Sequence, residues 1–272
     1  MIQEQVRRFL SEQSPLSMHR SVMEGEALQA TEVWRGLAEL GLQGTAIPEA
    51  YGGVGAGYLP LCLVAQELGA VLAAVPFSSS IYLAAEAITC FGSTDQKERY
   101  LPKLASGEWI GTLALSEGPE APTQTNLKVA RSADTLSGKK LVVPHGLAAD
   151  FAVVLVASAA GTDLVIAGLE GVERVAIEIV DPTIAAASFH FEQAQCEGLG
   201  NPGEGWAMLE TLQHRAAVLY AFEQIGGAEQ ALNMAVAYAK ERFAFGRPIG
   251  SFQALKHMMA DMYVALKLAE SN

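Results

Sequence analysis

Two arginines, three phenylalanines and a glutamine crowd into one short run, Arg242-Phe243-Ala244-Phe245-Gly246-Arg247-Pro248-Ile249-Gly250-Ser251-Phe252-Gln253. A guanidinium can clamp pyrophosphate oxygens through paired N–H groups, an aromatic face can stack on a purine, and a glutamine amide can bond a phosphate or ribose. The Gly-Pro content predicts a turn, with one helix ending at Arg242 and the next opening at Phe252-Gln253. By residue type alone, such a corner serves ordinary helix packing as well as ligand binding. A second glycine-rich run, Gly53-Val54-Gly55-Ala56-Gly57, precedes a helix but has no strand leading into it, and its third glycine is misplaced for a dinucleotide loop. It reads as a turn, with no nicotinamide site expected. Cys62, Cys90 and Cys196 are odd in number and form no Cys-x-x-Cys pair, which suits thiols in a reducing cytosol.

The elements that must position these residues fall into three textures. Up to about Trp109 the apolar spacing is helical: Val33, Trp34, Leu37 and Leu40 share a face, with Gly41 as a stop. Further helices are expected over 58–74 and 78–91, and Ser93-Thr94-Asp95 caps a short one ending near Pro102. From Ile110 to about Phe191 the runs 140–143, 151–157, 163–167 and 175–180 are rich in Val and Ile and separated by turn residues, predicting a compact antiparallel sheet or barrel. After the loop 198–203, long Ala-rich helices are expected over 208–243 and from 251 onward. Gly226-Gly227 inside the first of them predicts a close helix–helix approach, because glycine otherwise costs about 1 kcal/mol there. The second repeats apolar residues at Met258, Met262 and Leu266.

Half of the 272 residues are apolar and the net charge is −12, with lysines and arginines dispersed. A sizeable core is therefore available, and a nucleic-acid surface, which needs clustered cations, is not expected. The start of the chain lacks a signal-peptide pattern, and the apolar stretch 151–169 is broken by Gly161-Thr162-Asp163, so two strands explain it better than a membrane span.

The run 242–253, continued by Ala260-Asp261-Met262, resembles the Arg-x-x-Phe-Gly…Phe-Gln signature of acyl-CoA dehydrogenases. Further similarities follow in family order: Gly41-Leu42…Ile47-Pro48-Glu49-Ala50-Tyr51-Gly52-Gly53, Gln66-Glu67-Leu68-Gly69, Gly92-Ser93…Gln96-Lys97…Tyr100-Leu101-Pro102…Gly107-Glu108, Gly138-Lys139, Ala149-Asp150, Arg215 and Gly226. The resemblance covers nearly the whole chain. It implies a multidomain α and β fold: an N-terminal helical domain (1–109), a middle antiparallel β-barrel or sandwich (110–200), and the first two long helices of a C-terminal bundle (201–272). It also implies FAD as cofactor, an acyl-CoA substrate, a homo- or hetero-oligomer built as a dimer of dimers, electron-transfer flavoprotein as acceptor, and a cytoplasmic location. Arg242, Phe245 and Gln253 would then hold the pyrophosphate and adenine end of a neighbouring subunit's FAD.

Two departures bear on the flavin ring. Leu115-Ser116-Glu117-Gly118-Pro119-Glu120-Ala121-Pro122 matches only the start of the family's Thr-Glu-Pro-Gly-x-Gly-Ser-Asp loop, so Leu115 and Ser116 are the cofactor candidates there. The family's Trp-Ile-Thr segment corresponds to Leu141-Val142-Val143, which places Val143 at the flavin without an indole or hydroxyl. The reaction needs a base at the substrate α carbon. In most members of the family that glutamate lies beyond residue 272; in some it precedes an arginine on the long helix, where this sequence has His214 before Arg215. His214 is thus the candidate base and Arg215 a candidate substrate contact, with Glu210 and Glu223 further options on the same helix. The implied activity is α,β-dehydrogenation of an acyl-CoA by one subunit of an FAD-dependent enzyme. The eroded β motifs favour an alternative, a non-catalytic partner that supplies only part of a flavin site in a heteromer.

Overall fold

The computed structural model describes residues 2–272. Helices α1 (Ile2–Gln13), α2 (Leu16–Met23), α3 (Thr31–Glu39) and α4 (Tyr58–Ala70) open the chain. Val33, Trp34 and Leu37 of α3 are buried on one face as their spacing predicts. Gly41, at φ +72°, stops α3, with the Gly41 and Leu42 amides donating back to Ala38 and Leu37. That bonding pattern is the glycine-dependent helix stop in full.

The stretch expected as a helix over 78–91 divides in two: a π-helix (Ser78–Ala85) followed by α5 (Glu86–Phe91). A π-helix of this length is rare and marks sites where side-chain demands override the regular ladder. Here Ser79 Oγ lies 2.7 Å from His145 Nδ1 and Ser80 Oγ accepts from the Gly111 amide, so the π turn faces the strands with its serines. Its Tyr82 ring meets Tyr220 edge-on at 5.6 Å on the opposite side. Helix α6 (Thr94–Ala105) begins with the reciprocal cap between Ser93 and Gln96, and Pro102 sits inside it instead of ending it.

The middle strands are β1 (Gly111–Ala114), β2 (Ala130–Ser132), β3 (Thr135–Val143), β4 (Phe151–Ser158), β5 (Gly161–Gly168), β6 (Glu173–Ala176) and β7 (Ala187–Leu199). The path β4-β2-β3-β7-β5 is closed by pairing of β4 with β5, which makes a small barrel, with β1 attached to β4 and β6 to β7. Most pairings are antiparallel, but β1 and β2 both lie parallel to β4, so the sheet is mixed rather than wholly antiparallel. Alternate residues of β4 and β5, among them Val154, Val156, Val165 and Ala167, fill the barrel, and Val153, Leu155, Leu164 and Ile166 join the helical core outside it. Both faces of these strands are buried, which is why their sequence is a continuous apolar run without polar alternation.

Helix α7 (Gly205–Glu241) crosses α4 at the predicted glycines. A methyl group on Gly226 would fall 1.8 Å from the Gln66 carbonyl oxygen, and one on Gly69 would fall 1.9 Å from that of Glu223. The two backbones are therefore in direct contact. A two-residue hairpin, β8 (Phe243–Ala244) and β9 (Arg247–Pro248), leads into α8 (Gln253–Ser271). Leu266 is buried against α7, whereas Met258 and Met262 are about half exposed. The two helices leave an open apolar groove of about 790 Å³ between Ile225, Leu232, Met262 and Leu266. Among the described residues, no helix is long and apolar enough to cross a membrane.

Candidate flavin site

The corner at 242–253 is built by local geometry. Strand pairs Phe243↔Pro248 and Ala244↔Arg247 leave Phe245 and Gly246 as the loop, both with positive φ (54° and 78°). Such a hairpin turn normally takes Asn-Gly or Asp-Gly. A phenylalanine there costs roughly 1 kcal/mol or more of backbone strain, and its ring is 95 % exposed. Its one ring contact among the described residues is edge-on with Phe252, centroids 6.2 Å apart, which leaves nearly all of the side chain in solvent. Gly250 lies so close to Ala239 that an added methyl group would reach 2.8 Å from its carbonyl oxygen, and the Ile249 amide donates to the Arg242 carbonyl at 2.8 Å. These contacts press the hairpin onto the end of α7. Arg247 stacks over the Phe252 ring at 4.2 Å.

This donor set suits a dinucleotide tail. Neither Arg242 nor Arg247 has a carboxylate partner among the described residues. The first turn of α8 has no side-chain cap, so its backbone N–H groups and dipole also favour an anion. Ser251 Oγ is buried without a hydrogen-bond partner, and Gln253, exposed, opens the helix. Two arginines without carboxylate partners among the described residues, uncapped helix amides and an exposed aromatic ring suit a pyrophosphate with an adenine beside it. The sequence candidates Arg242, Phe245 and Gln253 are brought together here.

The β-side candidates lie in a separate place, at the end of β1 and the bend of β3. Leu115 and Ser116 follow β1; the Ser116 carbonyl accepts from the Leu141 amide at 2.7 Å. Val143 is fully buried in the barrel core, so its side chain faces no ligand space. A register shift between Lys140 and Val143 turns the chain so that Val142, at φ 51°, is the residue exposed. An extra residue in a strand is commonly glycine when it takes positive φ; Val142 holds it against its β-branching. Behind this bend Lys140, 0 % exposed, donates to the Leu115 carbonyl at 3.0 Å and to Glu117 Oε1 at 2.6 Å. Burial lowers the lysine's pKa and Glu117 opposes that shift. His145, also buried and at φ 52°, has its pKa pushed down to about 4 by burial, with Asp181 opposing weakly. At the bend of β3 the wall therefore presents the aliphatic Val142, and the side-chain hydroxyl nearest it in the facing segment is that of the half-buried Ser116.

On α7, His214 is exposed and makes no hydrogen bond among the described residues. Glu210, on the same outer face, is occupied by the Trp206 indole N–H at 2.9 Å. Glu223 points inward toward Tyr82 and Tyr220, and burial raises its pKa. Arg215 turns the other way. Its guanidinium bonds the buried Glu86 carboxylate and stacks on Tyr58 at 4.9 Å, while the Tyr58 hydroxyl donates to the Arg215 carbonyl. Burial pulls the Arg215 pKa down, but Glu86 outweighs it and leaves it above the ordinary value. Cys90 donates to the same carboxylate, and burial first, then Glu86, push that thiol up to about 11. The structure thus places His214 and Arg215 side by side without joining them in one site. Glu86, Lys140, Glu117 and His145 were not legible as a set, since their partners lie 23 to 129 residues away in the chain.

Comparison with known proteins agrees with this architecture. The acyl-CoA dehydrogenase N-terminal domain profile matches residues 1–108 and the C-terminal domain profile matches residues 203–271. A mitochondrial isovaleryl-CoA dehydrogenase of Bos taurus is 31% identical over 299 residues, covering 97% of this chain and 67% of the relative. Its counterpart in Oryza sativa subsp. japonica is 31% identical over 264 residues, covering 88% of this chain and 63% of the relative. The chain thus spans less than two thirds of the rice enzyme's length. Among solved structures, the ChsE4-ChsE5 complex from Mycobacterium tuberculosis contains a chain 28% identical, with a TM-score of 0.83 over 98% of this chain and 73% of that one.

Proposed function

The chain belongs to the acyl-CoA dehydrogenase family, and from that premise we propose that it serves as a subunit of an FAD-dependent dehydrogenase of acyl-CoA thioesters, holding a neighbour's flavin by its tail. The observation that carries this reading is the corner at 242–253. A strained, 95 % exposed phenylalanine stands beside two arginines without carboxylate partners, at an uncapped helix N-terminus. Arg242 and the first amides of α8 would take the pyrophosphate, Phe245 the adenine face, and Gln253 a phosphate or ribose oxygen.

When bound, the flavin supplies a hydride acceptor for the substrate β carbon. What the chain itself must add is a base for the α proton and donors for the thioester oxygen. His214 holds the position for the base. It is solvated and unpartnered, so no neighbouring group orients it toward a substrate. Arg215 is committed to Glu86 and Tyr58, which leaves it a scaffold for that part of α7 more than a substrate contact.

That arrangement supports a second reading, in which the chain is the non-catalytic partner of a heteromer. The residues this reading would assign to the ring and the acyl group are poorly equipped for that work: Val143 is occluded, Val142 is aliphatic, and His214 is exposed without a hydrogen-bond partner among the described residues. The ChsE4-ChsE5 complex supplies an example of a chain similar to this one found in a complex of two differently named components. Electron-transfer flavoprotein as acceptor and a cytoplasmic site of action belong to the same proposal.

One experiment separates the readings. The protein is purified alone and co-expressed with a family relative, and its flavin absorption and acyl-CoA-dependent acceptor reduction are measured. A yellow, active homomer supports the catalytic reading. A chain that is yellow only in the co-expressed complex supports the partner reading, and absence of flavin from both preparations refutes the tail-holding role.

A further inference from the structure

We propose that Lys140 is the positioning residue of the β-side flavin wall, acting through Glu117; this inference rests on the functional reading above. Three chain segments meet at one buried ion pair. The Lys140 ammonium, fully enclosed, takes the Leu115 carbonyl and the Glu117 carboxylate. That carboxylate accepts in turn from the Lys128 amide at 2.6 Å and the Val129 amide at 3.2 Å. The Leu141 amide closes the ring of contacts on the Ser116 carbonyl at 2.7 Å. The segment after β1, the segment leading into β2 and the bend of β3 are thereby fixed to one another.

A buried ion pair adds little net stability over a well-packed apolar pair, because desolvation of both charges offsets their attraction. What it contributes is direction. An apolar pair would leave the Leu115 carbonyl and the two amides without partners and would let the loop settle in several ways. The pair also explains how a strained Val142 is maintained. Lys140 turns inward immediately before the register shift, and the next exposed side chain after it is the valine at φ 51°. Between Glu117 and Lys128, over residues 118–127, the loop makes no hydrogen bond to this pair. Asn126 closes it instead, accepting from the Thr123 amide and donating to the Ala121 carbonyl. The anchor therefore acts on 115–117 and 140–142, the two segments that would face the ring.

The test uses the full natural chain, assembled with its partner where one is required, and two variants, Lys140→Met and Glu117→Gln. Arg7→Met is the control, since it breaks the bond of a cation to the buried Glu67 on α4, outside this wall. FAD affinity is measured by titration, and hydrogen exchange is followed across 115–117, 128–129 and 140–143 with and without FAD. Lys140→Met should weaken FAD binding tenfold or more and speed exchange at the Leu141 amide at least tenfold, with α4 and α7 amides unchanged. Arg7→Met should change FAD affinity less than twofold. Should Lys140→Met fail to fold, Glu117→Gln, which keeps the shape and removes the charge, must show the same two effects in smaller degree. Wild-type exchange rates and FAD affinity in folded variants would overturn the role of Lys140. A wild-type protein whose segments 115–117 and 141–143 gain no protection from FAD would instead overturn the flavin reading of this wall.

Discussion

Gly226 and Gly227 are neighbours in one helix, yet alanine at the two positions should move stability in opposite directions. A methyl group at 226 would lie 1.8 Å from the Gln66 carbonyl oxygen and 3.0 Å from the Ala70 amide nitrogen. A carbon–oxygen contact needs roughly 3.3 Å, so α4 and α7 must part by more than an ångström, and the obstructing atoms are backbone that no rotamer can move. Overpacking of this kind costs about 3 kcal/mol, while alanine's better helix propensity returns about 1 kcal/mol, for a net loss of about 2 kcal/mol. At 227 the nearest atom to the new methyl group is the Gly69 carbonyl oxygen at 3.5 Å, an ordinary contact. There the propensity gain stands almost alone, about 0.5–1 kcal/mol. Urea denaturation followed by far-UV circular dichroism reads both values, and melting should shift by about 2–4 °C per kcal/mol for a chain near this size. Gly69→Ala meets the Glu223 carbonyl at the same crossing, so its cost should shrink in the Gly226→Ala background, where the helices have already separated. If Gly226→Ala proved as stable as Gly227→Ala, the backbone contact between α4 and α7 would be refuted.

Other consequences can be checked in the same preparations. His145 is held near a pKa of about 4 against an ordinary 6.5, so the unfolded chain binds its proton first as pH falls. The stability it allows is complete above pH 6.5 and declines between pH 6.5 and 4 by about 3 kcal/mol; His145→Gln should flatten that part of a melting-temperature profile, and an unchanged slope would contradict the assignment. Phe245→Ser removes an exposed ring whose one ring contact among the described residues is edge-on with Phe252, so stability should fall by no more than about 0.5 kcal/mol. FAD affinity of the assembled protein should nevertheless fall about tenfold through lost stacking; unaltered affinity would remove Phe245 from the site. Arg215→Met leaves the buried Glu86 with only the Cys90 thiol. Because the arginine itself is half exposed and screened, the expected loss is about 1 kcal/mol, and adding Glu86→Gln should recover most of it.

The residues that announced themselves in the sequence are those whose partners are local. The corner at 242–253 could be anticipated because its hairpin, its Gly-Pro turn and the start of α8 are set by neighbours a few positions apart. The cap at Ser93 and the Gly41 stop were visible for the same reason, although the Gln96 half of that cap was not read. The parallel attachment of β1 to β4 was not, since it joins Gly111 to Phe151 and leaves no trace in the pattern of either strand. The side chain facing out of β3 was misplaced by one residue. Strict alternation carries through Leu136 and Lys139, but the shift between Lys140 and Val143 inverts it, burying Val143 and exposing Val142. A lysine on an apparent strand edge gives no sign of being fully enclosed until Glu117, 23 residues earlier, is seen against it.

The two halves of the site differ in what has been kept, and the difference bears on assembly. On the proposed reading the corner offers a dinucleotide tail Arg242, Phe245 and Gln253, with Phe245 at positive φ and almost fully exposed. Its hydrogen bonds run among α7, the hairpin and α8, while Lys140 and Glu117 bind only segments of the barrel. On the proposed reading the two halves therefore serve different flavins, one through the tail and one through the ring. Loss of an aromatic face and a hydroxyl at the wall would weaken only the second. A chain with a complete corner and a reduced wall is then suited to complete another subunit's flavin site, and a heteromer with one fully equipped ring site per pair follows from that asymmetry. Flavin content resolves the point directly: one FAD for every two chains fits the reduced wall, whereas one FAD per chain requires Val142 and the Lys140 frame to hold a ring without the indole.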